Sequence, residues 1–478
     1  MASPSARRTR IWIAYFATLA VAVGVFLVVR ERGLELVAAP AKVDGPARSA
    51  DGGAHVLGHV LLALALITLS ARALGAVFQR YLRQPAVIGE IVAGLLLGPS
   101  LLGALAPGAY AFLLPQAIVP HLGIVAQIGV TLFMFLVGLE LDGRMLRNNS
   151  GSTLAISHAS IVAPLVLGSV LALALYPRYS HHGVDFTVFA LFIGVSLSVT
   201  AFPVLARILT DRRMQSTSLG TTAIACAAVD DATAWCLLAF VSGLARAKLG
   251  EATLTVLLTV GYAGLMLGVV RPLLRRLSRR LDRERESAPL GVLALVFAGV
   301  LLSAFATETI GIHALFGAFL FGAVMPHDGK LAAELRARIE DIVVVLLLPV
   351  FFTFSGMRTQ IALVSSWTDW AFCAAILAVA TAGKFGGSFI AARLTGLGYR
   401  EASALGVLMN TRGLMELIVL NVGLDMGVLS PTLFAMLVIM ALVTTFATTP
   451  VLSLLSWPGM PSSARLNTPP FVPRRLRD

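Results

Sequence analysis

Two adjacent carboxylates, Asp230 and Asp231, lie in the middle of an apolar stretch at about residues 216–244. The stretch is long enough to span a bilayer, and a rise of about 1.5 Å per residue places both side chains near the membrane midplane. An ionised aspartate at that depth costs at least ~2.5–3.5 kcal/mol. The pair therefore predicts a site that binds a cation or protons. A structural ion pair with a neighbouring helix and a mistaken span are the alternatives.

The preceding apolar segment, residues 185–209, contains a second polar group. Ser198 and Thr200 come shortly before Pro203. Because proline removes a backbone donor and clashes with the preceding turn, we expect this helix to break or kink near Thr200. A broken helix at membrane depth can line a cavity, where freed carbonyls and hydroxyls coordinate a cation. An ordinary proline kink without a site is the alternative.

A lysine lies well inside a later apolar segment, residues 369–393. The buried ammonium of Lys384 needs a carboxylate partner, and Asp230 or Asp231 is the expected one. The alternative is that Lys384 reaches the membrane interface because the span is misplaced.

The next segment, residues 402–424, is also rich in polar side chains. Arg412 and Glu416 are four residues apart, which places them on one helix face and predicts an internal ion pair that orders the site. Glu416 is also a candidate proton relay. Asn410, Thr411 and Gly413 indicate a second interrupted helix that mirrors the first.

The composition is that of a polytopic membrane protein. Of 478 residues, 57% are hydrophobic and 13% are charged, and the mean hydropathy is +0.86. The net charge of +12 comes from basic residues in short loops, which favours a membrane-side bias over nucleic-acid binding. No Walker, GxGxxG or HExxH pattern is present, so we expect neither a cofactor nor an ATPase domain.

Apolar segments follow one another along the whole chain. The first, at about residues 11–29, follows three arginines and predicts an anchor helix and linker over residues 1–53, with a cleaved signal peptide as the alternative. Thirteen further segments are predicted at 54–78, 86–105, 119–141, 152–175, 185–209, 216–244, 252–273, 288–308, 312–326, 342–358, 369–393, 402–424 and 430–456.

Loop charges predict the orientation of these segments. Alternate loops hold most of the basic residues, including six arginines at 275–285, whereas the opposite side keeps Arg178, Arg246 and Lys248, with Arg358 at a helix end. Because basic loops stay inside, the basic tail at residues 457–478 is predicted to be cytoplasmic. We expect an integral protein of a bacterial plasma membrane.

Two similar stretches, FMFLVG at 133–138 and FFTFSG at 351–356, end segments that run in opposite directions. This is typical of an inverted-topology repeat, with six segments, a linking seventh and six more.

Five stretches carry a resemblance to a known family. They are QPAVIGE at 84–90 with Gly94 and GPS at 98–100, residues 198–209, residues 227–235, GIHALFGA at 311–318, and residues 409–421. In their order and spacing the chain resembles the monovalent cation:proton antiporter-2 family, and within it the branch of plant and fungal cation/H⁺ exchangers.

The resemblance implies an all-α, inverted-repeat sodium/proton antiporter fold with two crossing broken helices, here as thirteen spans plus an anchor. It implies a homodimer built by a dimerisation unit, with a linking helix and a moving core. The corresponding ranges are about 54–141 and 288–358 for dimerisation, 252–273 for the linker, and 152–244 and 369–456 for the core.

The resemblance also implies individual roles. Asp231 looks like the essential carboxylate that binds the transported Na⁺ or K⁺, and Asp230 looks like the partner of Lys384. Thr200 matches the polar position at the first break. Two carboxylates tend in this family to accompany electrogenic exchange.

We therefore expect an antiporter, not an enzyme, that exchanges Na⁺ or K⁺ for protons in a lipid bilayer. A monovalent cation channel is the alternative. An intramembrane aspartyl protease is disfavoured, because its two carboxylates must face each other, whereas adjacent helix residues point about 100° apart.

Overall fold

The computed structural model describes residues 4–34, 53–82, 84–140, 151–181, 183–212, 214, 217–246, 252–283, 289–327 and 329–455. Within these ranges every regular element is a helix. The predicted linker and the basic tail fall largely or wholly outside the described residues.

Sixteen helices are numbered in chain order below, and short helical turns connect some of them. They are α1 (Pro4–Gly33), α2 (Gly53–Tyr81), α3 (Ala86–Leu97), α4 (Val119–Glu140), α5 (Gly151–Tyr179), α6 (Phe186–Ser198), α7 (Phe202–Asp211), α8 (Ser218–Arg246), α9 (Ala252–Leu265, Met266–Val270 and Arg271–Arg283), α10 (Leu290–Ile310), α11 (Ala314–Val324), α12 (Lys330–Ile342, Val343–Leu347 and Leu348–Arg358), α13 (Trp367–Leu394), α14 (Tyr399–Met409), α15 (Leu414–Asp425) and α16 (Pro431–Leu454).

Among the described residues, ten helical stretches are long and apolar enough to cross a membrane. Helices α6 and α11 are apolar but shorter, with 13 and 11 residues. The expected all-helical, polytopic architecture is confirmed, whereas the count of thirteen spans plus an anchor stays a prediction.

Two predicted spans are interrupted. Helix α6 ends at Ser198, and α7 begins at Phe202 with Pro203 as its second residue. Proline is tolerated there because the first N–H groups of a helix lack intrahelical partners, while its ring excludes continuation from the preceding turn. Likewise α14 ends at Met409 and α15 begins at Leu414.

The two interruptions cross each other. The backbone N–H of Ala201 donates to the carbonyl oxygen of Thr411 at 3.1 Å. Gly413 permits this approach, since a Cβ at that position would lie 2.7 Å from Cγ2 of Val204. The crossing therefore depends on the absence of a side chain at one position.

Two long helices contain a π-helical turn, Met266–Val270 in α9 and Val343–Leu347 in α12. Each turn ends two residues before a proline, Pro272 or Pro349. A proline cannot donate the next helical hydrogen bond, and the widened turn lets the helix continue without it. The six-arginine run was predicted to be a loop; within the described residues its part up to Arg283 continues α9 instead.

The helices pack most extensively within two groups. One contains α2, α3, α4, α10, α11 and α12, and the other contains α1, α5, α6, α8, α13, α14 and α16. The roles of these groups as a dimerisation unit and a moving core stay predictions.

Candidate ion-binding site

Asp230 lies near the middle of the 29-residue helix α8, and its side chain is fully buried. Four donors surround its carboxylate: Ser157 Oγ at 2.5 Å, Ser160 Oγ at 2.6 Å, Thr200 Oγ1 at 2.8 Å and Lys384 Nζ at 3.0 Å. Three of these donors share Oδ2, whereas Ser157 alone donates to Oδ1. A cation at Asp230 would therefore have to compete with hydroxyls and an ammonium that already hold the carboxylate.

Lys384 is the charged partner in this set. Its side chain is fully buried, and its ammonium also donates to the carbonyl oxygen of Ser198 at 2.5 Å. That carbonyl is at the end of α6, where the helix dipole favours a positive charge. Of the two carboxylates that the sequence left open as partners, the ammonium contacts Asp230.

Asp231 has different surroundings although it is the next residue. Its side chain is 6% exposed, and the backbone N–H of Phe202, the first residue of α7, donates to it. Its other carboxylate oxygen, Oδ1, is buried without a hydrogen-bond partner. Buried polar atoms are normally paired, so this unpartnered oxygen is the one available to take up a proton or a cation.

Arg412 stabilises the first interruption from the second. Its guanidinium is fully buried and donates to carbonyls at the end of α6 and just beyond it: Ser196 O at 3.2 Å, Leu197 O at 2.6 Å and Val199 O at 3.0 Å. Carbonyls at a helix end have no intrahelical partner, and a membrane interior supplies no water to replace one. One arginine thus satisfies much of this buried helix end.

Glu416 accepts a hydrogen bond from Arg412 at 3.0 Å, so the two residues predicted to pair do meet. They are not on one continuous helix, because Arg412 lies before Leu414, where α15 begins. The pair therefore forms across a helix start. Glu416 Oε1 has no hydrogen-bond partner.

The second interruption is held by α16. Thr445 Oγ1 donates to the carbonyl of Arg412 at 2.7 Å, and the hydroxyl of Thr411 lies 3.4 Å from that of Thr448. Asn410 is mostly buried, and its side-chain oxygen has no hydrogen-bond partner.

Two residues predicted at the site use their side chains differently from the expectation. The hydroxyl of Thr200 points to Asp230, not to the open oxygen of Asp231. The hydroxyl of Ser198 lies 2.6 Å and 2.9 Å from the carbonyls of Gly194 and Ile161, so only its backbone oxygen contacts the site.

Sequence reasoning missed Ser157 and Ser160 of α5. Their spacing of three residues puts two hydroxyls on one face of an apolar helix. This spacing could have indicated that α5 contributes polar groups to the site. The capping role of Arg412 has no comparable local signal, because its acceptors are more than 200 residues away.

A cavity of about 730 Å³ opens between α4, α10, α11, α12 and α15. Its polar lining includes Glu308, Arg358, Asn421 and Asp425, and Arg358 bridges Asp425 at 2.6 Å and Asn421 at 3.2 Å. Asp231 is not among the lining residues, so the cavity stops short of the carboxylate pair.

Among the described residues, no group of three or more His, Cys, Asp or Glu is placed to hold a metal ion. The open oxygen belongs to a single carboxylate, together with nearby backbone. Such a site neutralises one positive charge, which fits a monovalent cation or a proton better than a tightly held divalent ion.

Comparison with known proteins places these features in context. The transmembrane sodium/hydrogen exchanger family model matches residues 60–456. The chain is 43% identical over 398 residues to the Na⁺/H⁺ antiporter NhaS4 of Synechocystis, covering 83% of this chain and 96% of that protein. It is 41% identical to cation/H⁺ antiporter 20 of Arabidopsis thaliana and 36% identical to K⁺/H⁺ antiporter 1 of Saccharomyces cerevisiae.

The plant and yeast matches cover 85% and 78% of this chain, but the chain spans only 49% and 44% of those proteins. Its fold is similar to that of the sodium proton antiporter MjNhaP1 of Methanocaldococcus jannaschii, with a TM-score of 0.53 at 15% identity. That match covers 85% of this chain and 97% of the other.

Proposed function

This chain belongs to the sodium/hydrogen exchanger family, a family of transporters and not of enzymes, and we propose that it exchanges a monovalent cation, Na⁺ or K⁺, for protons across a membrane. Relatives named for Na⁺/H⁺ and K⁺/H⁺ antiport support the reaction and leave the choice of cation between the two.

The observation that carries the proposal is the difference between the two carboxylates. Asp230 has four donors, whereas Asp231 Oδ1 has none. Asp231 is therefore the group that takes up a proton on one side of the membrane and exchanges it for a cation on the other. Asp230, Thr200 and Lys384 position it by fixing α8 against the first interruption.

Charge accounts for the coupling of the two fluxes. Asp230 and Lys384 neutralise each other, so an empty Asp231 leaves one uncompensated negative charge in the core. Moving that charge through the membrane is costly, and a bound proton or cation removes it. The core consequently reorients only when Asp231 is occupied, which turns competition for one carboxylate into exchange.

Stoichiometry follows from the state of the Asp230–Lys384 pair. With the pair closed, Asp231 alone exchanges one proton for one cation without net charge movement. The electrogenic exchange that the resemblance implies requires the pair to open during the cycle, so that a second charge is taken up.

The larger organisation belongs to the same proposal. The helices of residues 152–244 and 369–456, from α5 to α8 and from α13 to α16, move as the core. They carry Ser198, Pro203, Asn410, Thr411, Arg412 and Glu416 as supporting residues at the crossing. Residues 54–141 and 288–358 form a homodimer, and the chain has thirteen spans plus an anchor in a bacterial plasma membrane, with its C-terminus cytoplasmic. Positive loops on one side support this orientation.

Purified protein in liposomes containing an interior pH dye tests the proposal. Na⁺, K⁺, Li⁺ or choline is added to dissipate an imposed pH gradient, with the membrane potential held at zero. We expect dissipation by Na⁺ or K⁺ that is lost in Asp231→Asn and kept in Asp341→Asn, the same change at an exposed carboxylate of α12.

Exchange by Asp231→Asn at the rate of the unmodified protein would contradict the proposal. A channel, the alternative function, would conduct the cation without moving protons against their gradient. A cation gradient that fails to drive protons uphill in the unmodified protein would therefore favour the channel.

A further inference from the structure

Helix α9 does not end where its apolar sequence ends. It continues through Pro272 to Arg283, so that arginines predicted to be in a loop are held on a rigid helix. Leu274, Ser278 and Leu281 are buried, and they attach this extension to the protein.

The opposite side of the extension is basic and exposed. Its members are Arg271, Arg275, Arg276, Arg279 and Arg280, all exposed, which we call the arginine face. At 100° per residue these positions cover about half of the helix circumference, and the three buried residues lie in the remaining half. The sequence thus divides the helix into an attached side and a basic side.

Within the described part of the chain, no arginine of this face forms an ion pair. The neighbouring carboxylate, Asp282, is engaged elsewhere, because its Oδ1 accepts a hydrogen bond at 2.9 Å from the backbone N–H of Lys330, in the first turn of α12. By contrast, Arg336 and Arg338 on α12 contact Glu140 at 3.4 Å and Glu334 at 2.5 Å. The arginine face is therefore left open to an external anion.

The exposed residues earlier in the same helix indicate the depth of the arginine face in the membrane. Before the extension, α9 exposes Leu265, Leu267 and Val269, which face lipid or another subunit at membrane depth. From Val269 to Arg275 the helix rises only about 9 Å. The exposed surface of α9 thus changes from apolar to basic over a distance comparable to the thickness of a headgroup layer.

We propose that the arginine face binds the phosphate groups of anionic phospholipids in the leaflet next to it. Guanidinium groups form paired hydrogen bonds with phosphate, and a row of them on a fixed helix presents several headgroup sites side by side. If these arginines served only to orient the protein in the membrane, basic residues in a loop would be sufficient. That role requires neither the helical extension nor the separation of the arginines from the buried side of the helix.

The position of α9 gives such binding a mechanical consequence. Its π-turn packs against α11, and its extension packs against α12, both in the group proposed to form the dimer. Bound lipid would hold this group at a fixed depth while the core moves. This consequence rests on the proposed function, whereas lipid binding itself does not.

Native mass spectrometry of the full chain in mixed micelles tests the binding, by counting phosphatidylglycerol and phosphatidylcholine molecules that remain bound. Micelles have no inside or outside, so an effect of the arginines cannot arise from topology. We expect a preference for phosphatidylglycerol of about tenfold that weakens as salt is raised.

Three variants make the test specific. In R275Q/R276Q/R279Q/R280Q the preference for phosphatidylglycerol should fall at least five-fold. The corresponding lysine variant, which keeps the charge, should retain most of this preference. The control R336Q/R338Q removes two arginines that already have carboxylate partners, and it should leave the preference unchanged.

Equal binding of the two lipids by the unmodified protein would overturn the proposal, as would an equal loss in the control. Millimolar inorganic phosphate should not displace the lipid; full displacement would assign the face to a free anion instead. Because the readout is binding, failure of this proposal is distinguishable from failure of exchange in liposomes.

Discussion

Asp230 and Asp231 are neighbours on one helix at the same membrane depth, yet their surroundings are opposite. Asp230 faces hydroxyls from α5, the first interruption and the ammonium of Lys384. Asp231, turned about 100° away, meets a backbone N–H at the start of α7 and keeps one oxygen open. The comparison shows that two adjacent carboxylates can have different roles: the contacts of Asp230 hold the site together, and Asp231 has an oxygen available to bind a proton or a cation.

The division has an energetic logic. A buried ion pair is no guarantee of net stability, but removal of one partner leaves an uncompensated charge. Replacing Asp230 is therefore expected to lower the stability of the protein. Burying the charge of Asp231 itself lowers stability, and we infer that this residue is retained for function. Mutations at the two positions should consequently separate stability from exchange.

The largest effect is expected from Asp231→Asn. The amide neither releases a proton nor carries the charge that a cation neutralises, so exchange should fall at least about 100-fold, to a rate indistinguishable from that of protein-free liposomes. The thermal midpoint should not fall by more than the equivalent of about 1 kcal/mol, because Asp231 accepts few hydrogen bonds. Scanning fluorimetry beside the liposome assay checks both; a collapse of the midpoint would mean that Asp231 is structural.

Lys384→Met should have the next largest effect, on stability. It leaves Asp230 charged, buried and short of a partner, at a cost of about 3–5 kcal/mol. The double variant Asp230→Asn with Lys384→Met removes both charges and should recover more than half of the loss. Thermal midpoints of the two variants check this, and a double variant as unstable as the single one would show that the charges are not coupled.

The sequence predicted the features of the site that depend on a single segment, and it missed those that depend on contacts between segments. Local patterns in the sequence indicated the interruption before Pro203, the depth of the aspartates and the buried lysine. The partition of roles depends on contacts between distant segments, such as Ala201 with Thr411. No local period encodes these contacts, so the capping of α6 by Arg412 could not be derived.

The boundaries of the helices were likewise predicted only where they coincide with the ends of apolar segments. The apolar segments located the helices, but α12 begins at Lys330, twelve residues before its predicted start, because its first turns are polar. The extension of α9 was missed for the same reason, since hydropathy marks membrane depth and not the end of a helix.

Arg412→Lys tests the support of the first interruption and should cost about 2–3 kcal/mol. A lysine keeps the charge near Glu416 but lacks the planar fork that reaches three carbonyls, so one or two of them lose their donor. The thermal midpoint reports this loss. A midpoint equal to that of the unmodified protein would show that the carbonyls find other donors.

The smallest effect is expected from Ser157→Ala. Asp230 keeps three donors, so stability should fall by about 1–2 kcal/mol, and exchange should stay within about threefold. Thr233→Ala is the matched control, because that hydroxyl on α8 donates only to its own helix, to Val229 O. If both changes cost the same, the hydroxyl of Ser157 contributes nothing specific to Asp230.

The most direct measurement is the apparent cation affinity of exchange as a function of pH, in liposomes with both faces set to the same pH. If protons and the cation compete for Asp231, the cation concentration for half-maximal rate should rise by up to about tenfold per unit fall in pH on the acidic limb. The maximal rate at saturating cation should stay constant. A constant half-maximal concentration with a falling maximal rate would contradict competition at one carboxylate.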